Sequence, residues 1–207
     1  MKENQNMEVK QSFIAEARRE QIIEAAIKTL DEVGYVKASL AQIAKRASIS
    51  TALISYHFAD KNDLMNHLLT NLLESSTAYI LKEVHQETTH HGKIMAFITA
   101  SLAYQGTHPE RNTALIEIIF NARTPDNIPY YKLSDDDEDP ILNELMKILH
   151  DGQEKEVFGK FNVDVMANMI QGAIGEYMFN ADITKKYDWK TYSSILLSIV
   201  NQALKGY

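Results

Sequence analysis

Histidine and carboxylate side chains are the groups of this sequence that could bind a metal or move protons. His85, His90 and His91 lie close together, and Glu87 precedes His91 by four residues, which places both on one face of a helix. No further ligand completes a site beside them, so a solvated junction is favoured over a metal centre. The acidic run 135–139 lacks the spaced ligands and central glycine of a calcium loop, which favours an exposed loop.

Several classes of catalyst are excluded by what the sequence lacks. It contains no cysteine, so disulfides, cysteine-ligated zinc and thiol catalysis are ruled out. It also has no nucleophile elbow, phosphate-binding glycine loop or paired catalytic carboxylates. We therefore expect a protein that is not an enzyme and that uses neither a metal nor a cofactor.

Composition indicates a globular protein with a sizeable core, since hydrophobic residues make up 45% of the chain and charged residues 24%. The polar N-terminus does not resemble a signal peptide, and no apolar run is long enough to span a membrane. These patterns predict a cytoplasmic protein. The net charge of −7 lies entirely in residues 66–207, whereas residues 1–65 carry nine basic and nine acidic side chains. A neutral N-terminal part can present a basic face to nucleic acid.

Apolar residues recur at helical spacing along most of the chain, and no segment alternates as strands do. The fold is therefore predicted to be all-α. A helix over 13–33 ends at Gly34, and two short helices follow, one capped by Ser39 with Gln42 and one capped by Ser50. A long helix starts near Asp60 and runs to about residue 84. Later helices are predicted at 91–106, 110–122, 140–158, 163–181 and 189–205.

The two short helices have the pattern of a helix-turn-helix, whose second helix enters the major groove of DNA. Ile43, Ala44 and Ala47 form an apolar inner face on the first helix, and 48–50 is a short turn. The second helix has an inner face of its own (Leu53, Ile54, Phe58). Its outer face carries small and polar side chains: Thr51, Ala52, Ser55 and Tyr56.

Residues 18–64 resemble the N-terminal domain of the TetR family of repressors. The marks of the resemblance are Arg18, the Ile22-Ile23-Glu24-Ala25-Ala26 run, Glu32-x-Gly34-Tyr35, Ser39, Leu40, Ile43, Ala44, Ile49-Ser50, Tyr56-His57-Phe58, Lys61 and Leu64. The resemblance implies an N-terminal helix-turn-helix domain (12–60) followed by a larger helical domain for ligand binding and dimerisation (61–207). It also implies a homodimeric repressor that a small-molecule effector releases from a palindromic DNA operator.

Carried over by position, the resemblance places Ser39 and His57 on phosphates, Tyr56 on a phosphate or base edge, and Lys61 on a backbone phosphate. The implied DNA-contacting set is Ser39, Ser50, Thr51, Ala52, Leu53, Ser55, Tyr56, His57 and Lys61. Arg18 and Lys45 or Arg46 are peripheral candidates.

Three residues depart from the family pattern, because Ser48 and Ala52 stand where glycine is frequent and Ser55 replaces an aromatic residue. Ser48 is expected to need a left-handed or near-helical conformation. The departures leave an alternative open, a helical module that binds a ligand or partner and has lost DNA binding. Replacing Tyr56 or Lys61 would discriminate between the two.

The later helices contain aromatic and methionine side chains near carboxylates, a mixture that suits a flat or cationic lipophilic molecule. Core packing is the competing explanation. The predicted ligand-binding set is Phe97, Tyr104, Glu117, Phe120, Met146, Met169, Glu176 and Tyr177. By resemblance, the last two long helices pair with their copies in a second subunit, through Gly172, Gly175, Met178, Leu196 and Val200.

Overall fold

The computed structural model describes residues 2–132 and 139–206, with side chains from residue 13 onward. Most of the acidic run predicted as a loop, residues 135–138, lies outside the described residues. Asp139 begins the next helix, because its carboxylate accepts hydrogen bonds from the backbone N–H groups of Ile141 and Leu142.

Regular structure in the described residues is helical, apart from one isolated bridge between Arg123 and Pro129 and a short 3₁₀ turn at Tyr130–Lys132. The helices are α1 (Lys2–Lys37), α2 (Leu40–Arg46), α3 (Thr51–His57), α4 (Lys61–Gln86), α5 (His90–Thr107), α6 (Pro109–Asn121), α7 (Pro140–Glu154), α8 (Val163–Phe179), α9 (Ala181–Lys186) and α10 (Trp189–Ala203). The predicted all-α class, with an N-terminal helix-turn-helix and a larger helical part, is confirmed. None of these helices is long and apolar enough to cross a bilayer.

Several helix boundaries differ from the prediction for local reasons. α1 begins at Lys2, well before the predicted start at Phe13. The predicted helix 163–181 is divided at Asn180, whose side chain accepts from two backbone N–H groups and so starts α9. α7 ends at Glu154, and the buried Phe158 beyond it covers the space that a Cβ on Gly152 would need.

The chain divides into two compact units, residues 1–72 with 113–133 and residues 73–112 with 134–207. The first unit therefore extends beyond the predicted segment 12–60 and includes the start of α4 and the end of α6. The assignment of 12–60 to DNA binding and 61–207 to ligand binding and dimerisation stays a prediction.

Each unit has its own apolar core. In the first unit α1 supplies Ile22, Ala26, Ile27 and Leu30, and the other helices add the buried Ile43, Ile54, Phe58, Leu64, Met65, Leu68, Ala114 and Ile118. In the second unit the largest fully buried side chains are Phe97, Ile94, Ile98 and Leu102 of α5, which pack with residues of α7, α8 and α10. Burial of such side chains contributes roughly 1.5–3 kcal/mol each.

The turn between α2 and α3 depends on one residue with a positive φ. Ser48 has φ 56°, which confirms the expected left-handed conformation, and its backbone N–H donates to the Lys45 carbonyl. The side chain is exposed, so the turn gains no packing from it. A residue other than glycine pays about 1–2 kcal/mol to adopt this conformation.

Replacing Ser48 by glycine should leave the free energy of unfolding unchanged or raise it by up to about 1 kcal/mol. Relief of the backbone strain is partly offset by the greater freedom of glycine in the unfolded chain. Ser48→Val should lower the free energy by about 1–2 kcal/mol, because a β-branched residue tolerates positive φ poorly. Urea unfolding followed by circular dichroism measures both. A valine variant as stable as the glycine variant would contradict the assigned turn.

Candidate nucleic-acid interface

α2 is held in place by its caps and by one long side chain of α1. Ser39 Oγ accepts from the Gln42 backbone N–H (3.3 Å), and Gln42 Oε1 accepts from the Ser39 backbone N–H (2.9 Å), so the predicted capping box is present. At the other end, Gln21 Nε2 donates to the Ala47 carbonyl at 2.7 Å. These bonds, with the buried Ile43 and Ala44, fix α2 against α1.

α3 has one strongly buried side chain, Ile54, and presents most of the others to solvent. Ser50 caps the helix by accepting from the Leu53 backbone N–H at 3.2 Å. Of the predicted DNA-contacting residues on α3, Leu53 and His57 are half-buried, and four are exposed: Thr51, Ala52, Ser55 and Tyr56. The exposed four form the outer face that a recognition helix requires.

Tyr56 is the most prominent member of this face, with 80% of its surface exposed. Its ring meets that of His57 edge-on with centroids 5.1 Å apart, while the neighbouring Phe58 is buried as predicted. At this exposure the ring gains little packing from the described residues of the first unit. A tyrosine held there can contact a phosphate or a base edge.

Lys61 does not point freely towards solvent. Its Nζ donates to the Tyr35 carbonyl at 2.5 Å and lies 4.4 Å from the centroid of the Tyr35 ring. Burial lowers the pKa of the Lys61 ammonium below its usual range. Burial, with smaller contributions from Tyr130 and Asp60, raises the pKa of the Tyr35 hydroxyl. The structure thus places Lys61 at the end of α1, where a cation stabilises the helix dipole.

Glu117, which was predicted to bind a ligand, contacts the same residue from the other side. Its Oε2 accepts from the Tyr35 backbone N–H at 2.7 Å, and Asn121 Nδ2 donates to that oxygen at 3.3 Å. Gly34, at φ 75°, allows the approach, because a Cβ there would lie 3.2 Å from Glu117 Oε2. The half-buried Glu117 carboxylate is therefore bonded to the backbone of Tyr35 and to the side chain of Asn121.

Other polar residues of the predicted interface also have partners within the first unit. Arg46 pairs with Glu32, Arg18 donates to Gln21 Oε1 at 2.6 Å, and the Ser39 hydroxyl donates to Gln42 Oε1 at 2.8 Å. Lys45 is exposed. A phosphate contact by Ser39 therefore requires its hydroxyl to exchange one acceptor for another.

The amino-acid sequence of this unit matches a known family. Residues 22–68 match the model described as "Bacterial regulatory proteins, tetR family". The similarity to this family is thus shown for this segment of the chain. The regulator BetI of Paraburkholderia phytofirmans is 39% identical over 74 residues, which are 36% of this chain. The match spans about a third of that relative's length, 34%.

Solved tetR-type structures share the fold over nearly the whole chain. FadR of Bacillus subtilis, solved in complex with stearoyl-CoA, covers 90% of this chain and 98% of its own at 21% identity, with a TM-score of 0.72. PfmR of Thermus thermophilus, a TetR family transcriptional regulator, covers 91% and 96% at 19% identity, with a TM-score of 0.69. At these identities the similarity shows the fold alone.

The predicted ligand-binding residues are divided between the two units. Glu117 and the exposed Phe120 belong to the first unit, while the other six belong to the second. Within the second unit Phe97, Tyr104 and Tyr177 are buried, Met146 is half-buried, and Met169 and Glu176 are exposed. The three histidines considered for a metal site contact other residues. His85 Nε2 lies 3.7 Å from Glu144 Oε1, and the rings of His90 and His91 contact the ring of Phe158.

The predicted dimer residues are also divided. Leu196 and Val200 belong to the core of the second unit, Gly175 and Met178 are half-buried, and Gly172 is exposed with open space around it. The exposed apolar side chains of the same two helices are their neighbours Val165, Met169, Phe179, Ile195 and Ile199.

Tyr35 and Gln21 are the functional residues that sequence reasoning missed. Both act through long-range bonds, Gln21 to the end of α2 and Tyr35 to α4 and α6. Gly34-Tyr35 at the end of the first helix was the available signal, since a positive-φ glycine exposes backbone groups that need partners.

Replacing Glu117 by alanine should lower the free energy of unfolding by about 1–3 kcal/mol, because the half-buried N–H of Tyr35 loses its acceptor. Glu117→Gln keeps an acceptor oxygen and should cost less than the alanine variant. Urea unfolding provides the measurement. Glu20→Ala, at an exposed position of α1, is the matched control and should change stability by less than about 0.5 kcal/mol. Equal small effects for the alanine variants at 117 and 20 would show that the bond to Tyr35 is not stabilising.

Proposed function

We propose that this protein is a homodimeric, sequence-specific DNA-binding repressor that a small-molecule ligand releases from its operator. The observation that supports it is the outer face of α3, exposed on a helix-turn-helix whose sequence matches the tetR family model. A DNA target would place the protein in the cytoplasm. Regulation rather than catalysis is also the role of the tetR-type relatives.

The base-contacting part of α3 consists of small side chains. Thr51, Ala52 and Ser55 allow the helix backbone to approach the base edges, and Ala52 can meet a thymine methyl group. Leu53 is half-buried, so it has less reach than the other three. Ser50 and His57, at the two ends of the helix, are placed for phosphate contacts.

Lys61 has a different role in this proposal from the one that the resemblance implied. Because its ammonium is bonded to the Tyr35 carbonyl, Lys61 orients the helix-turn-helix rather than binding a phosphate directly. The exposed Lys45 and Tyr56 are the better candidates for contact with the DNA backbone. Glu117 has the same orienting role from α6.

Dimerisation uses the exposed apolar faces of α8 and α10. On α8, Val165, Met169 and Gly172 recur at the four- and three-residue spacing of one helix face, and Ile195 and Ile199 do so on α10. These side chains are 46–67% exposed in the single chain. Exposed apolar stripes of this kind mark association surfaces. A two-fold dimer would present two α3 helices to half-sites about 34 Å apart.

Release by a ligand is the remaining part of the proposal. A ligand can bind more tightly to a conformation that is unsuited for DNA than to the DNA-binding one. It then lowers operator affinity by at most the ratio of its affinities for these two conformations. The solved FadR structure contains stearoyl-CoA, a ligand of that protein. For this chain, the class of ligand has to be inferred from the residues of the chain itself.

Replacing Tyr56 by alanine should weaken operator binding by about tenfold or more, because one exposed contact worth about 1–3 kcal/mol is lost. The operator is first selected from random duplexes, and affinity is measured by fluorescence anisotropy at several salt concentrations. Tyr131→Ala removes another exposed tyrosine of the first unit and should leave affinity unchanged. If selection enriches no palindrome, the chain is a ligand- or partner-binding module without DNA recognition.

Replacing Ile199 by glutamate should convert the dimer to monomers at micromolar concentration, because a charge cannot be buried unpaired in an apolar interface. Sedimentation equilibrium measures the change. Val157→Glu, at an exposed position between α7 and α8, is the control and should leave the dimer intact. A dimer that survives Ile199→Glu would assign the interface to another surface.

A further inference from the structure

A groove of about 480 Å³ follows the outer face of α5 in the second unit. Its floor consists of small residues at helical spacing, Gly92, Ala96, Ala100 and Ala103. Small side chains on one helix face leave room between the taller side chains on either side. The floor is therefore a shallow channel in an otherwise well-packed helical unit.

Aromatic side chains and a methionine form the walls. Tyr79 of α4 is 38% exposed, and its inner side is fixed by Tyr104, with ring centroids 5.4 Å apart. Met95 of α5 and Trp189 of α10 also line the groove. Trp189 lies over Gly106, where a Cβ would occupy the place of the indole. The Trp189 side chain is thus held in position by the backbone beneath it.

A second cavity, of about 720 Å³, continues the groove along α10 and shares Met95, Thr99 and Trp189 with the first. Side chains with hydroxyl and amide groups line it, together with the apolar Leu197. The two together form one elongated site, with an aromatic half and a half that suits a chain or a mixed polar body.

The charges of the aromatic half are negative. Glu83 and Glu87 line it, and neither carboxylate has an ion pair or a side-chain hydrogen bond among the described residues. Glu83 is half-buried. Lys190 lines the other half, with its Nζ 5.5 Å from the centroid of the Trp189 ring. A cation is therefore already attracted to this indole within the protein itself.

We propose that this groove binds organic cations with an apolar tail, and that these are the ligands of the proposed repressor; the second clause rests on the proposed function. The cationic head lies between Tyr79 and Trp189, beside Glu83. Aromatic rings and carboxylates together favour a poorly hydrated cation such as a quaternary ammonium. The tail lies over Met95 towards Leu197, where apolar contact adds about 0.8 kcal/mol per buried methylene group.

This site differs from the one expected from the sequence. Of the aromatic residues predicted to bind a ligand, Phe97 and Tyr177 are buried in the core of the second unit, and Tyr104 is buried behind Tyr79. The groove uses instead the outer side of α5, where Tyr79 and Trp189 retain accessible surface.

Trp189 is the single tryptophan of the chain, so its fluorescence reports binding directly and without DNA. Full-length protein is titrated with decyltrimethylammonium and, as a matched neutral probe, with decyldimethylamine N-oxide at pH 8, both below micelle formation. The expected result is a saturable change in Trp189 emission with the cation and at least fivefold weaker binding of the neutral probe. Equal affinities for the two probes, or no saturable change, would overturn the proposed site.

Two substitutions test groove side chains of opposite charge, Glu83 and Lys190, and a third is the control. Glu83→Gln should weaken binding of the cation about three- to tenfold, the loss of one partly exposed charge contact. Lys190→Gln should strengthen it, because a competing cation is removed from the indole. Glu74→Gln, an exposed glutamate of α4 outside the groove, is the control and should change nothing. A loss for Glu74→Gln equal to that for Glu83→Gln would show general charge attraction and contradict the site.

Operator affinity measured with and without the same cation separates the two proposals. Weaker DNA binding that Glu83→Gln suppresses supports both. Binding seen by fluorescence with unchanged operator affinity supports the groove as a site and contradicts its role in release. No fluorescence change together with DNA release by another compound overturns the groove and leaves the proposed repressor intact.

Discussion

The backbone of Tyr35 is bonded on both of its polar groups to helices that follow much later in the chain. Glu117 of α6 accepts its N–H, and Lys61 at the start of α4 donates to its carbonyl. Since Tyr35 lies between Gly34, where the backbone of α1 departs from helical geometry (φ 75°, ψ 168°), and Ser39, the cap of α2, these two bonds fix where the helix-turn-helix begins. Gly34 favours the arrangement, because any other residue would be strained at φ 75° and would crowd Glu117 Oε2, 3.2 Å from its Cβ.

This constraint separates the residues that orient the helix-turn-helix from those that can meet DNA. Lys61 and Arg46 carry charges that suit phosphate, but each is bonded within the first unit. The outer face of α3 is made instead of short side chains and Tyr56, all of them exposed. Under the proposed function, substitutions on this exposed face are expected to change DNA recognition with little effect on stability, whereas substitutions at Lys61 or Glu117 are expected to change both.

Features of the fold that depend on short-range rules could be predicted from the sequence. The capping box of Ser39 and Gln42, the cap at Ser50 and the strained turn at Ser48 involve neighbours at most three residues apart. The contact between Glu117 and Tyr35 joins residues 82 positions apart, and no periodicity indicates it. The division at Asn180 was missed for a different reason, since an asparagine within a helical pattern becomes a cap only when packing turns the chain there.

Aromatic residues show why the candidate ligand site could not be predicted in the same way. Composition alone does not distinguish an aromatic side chain that fills a core from one that lines a groove, and Phe97 and Tyr177 fill the core. What makes a groove is the absence of bulk beside an aromatic side chain, as with Tyr79 next to the alanines of α5 and Trp189 above Gly106. Small residues at helical spacing also occur where two helices pack closely. Whether such a strip indicates a groove or a helix contact therefore depends on what covers it. On α5 the strip of small residues forms the floor of a groove beside the Glu83 carboxylate, whereas on α8 the open space at Gly172 lies among exposed apolar side chains and suits a second subunit.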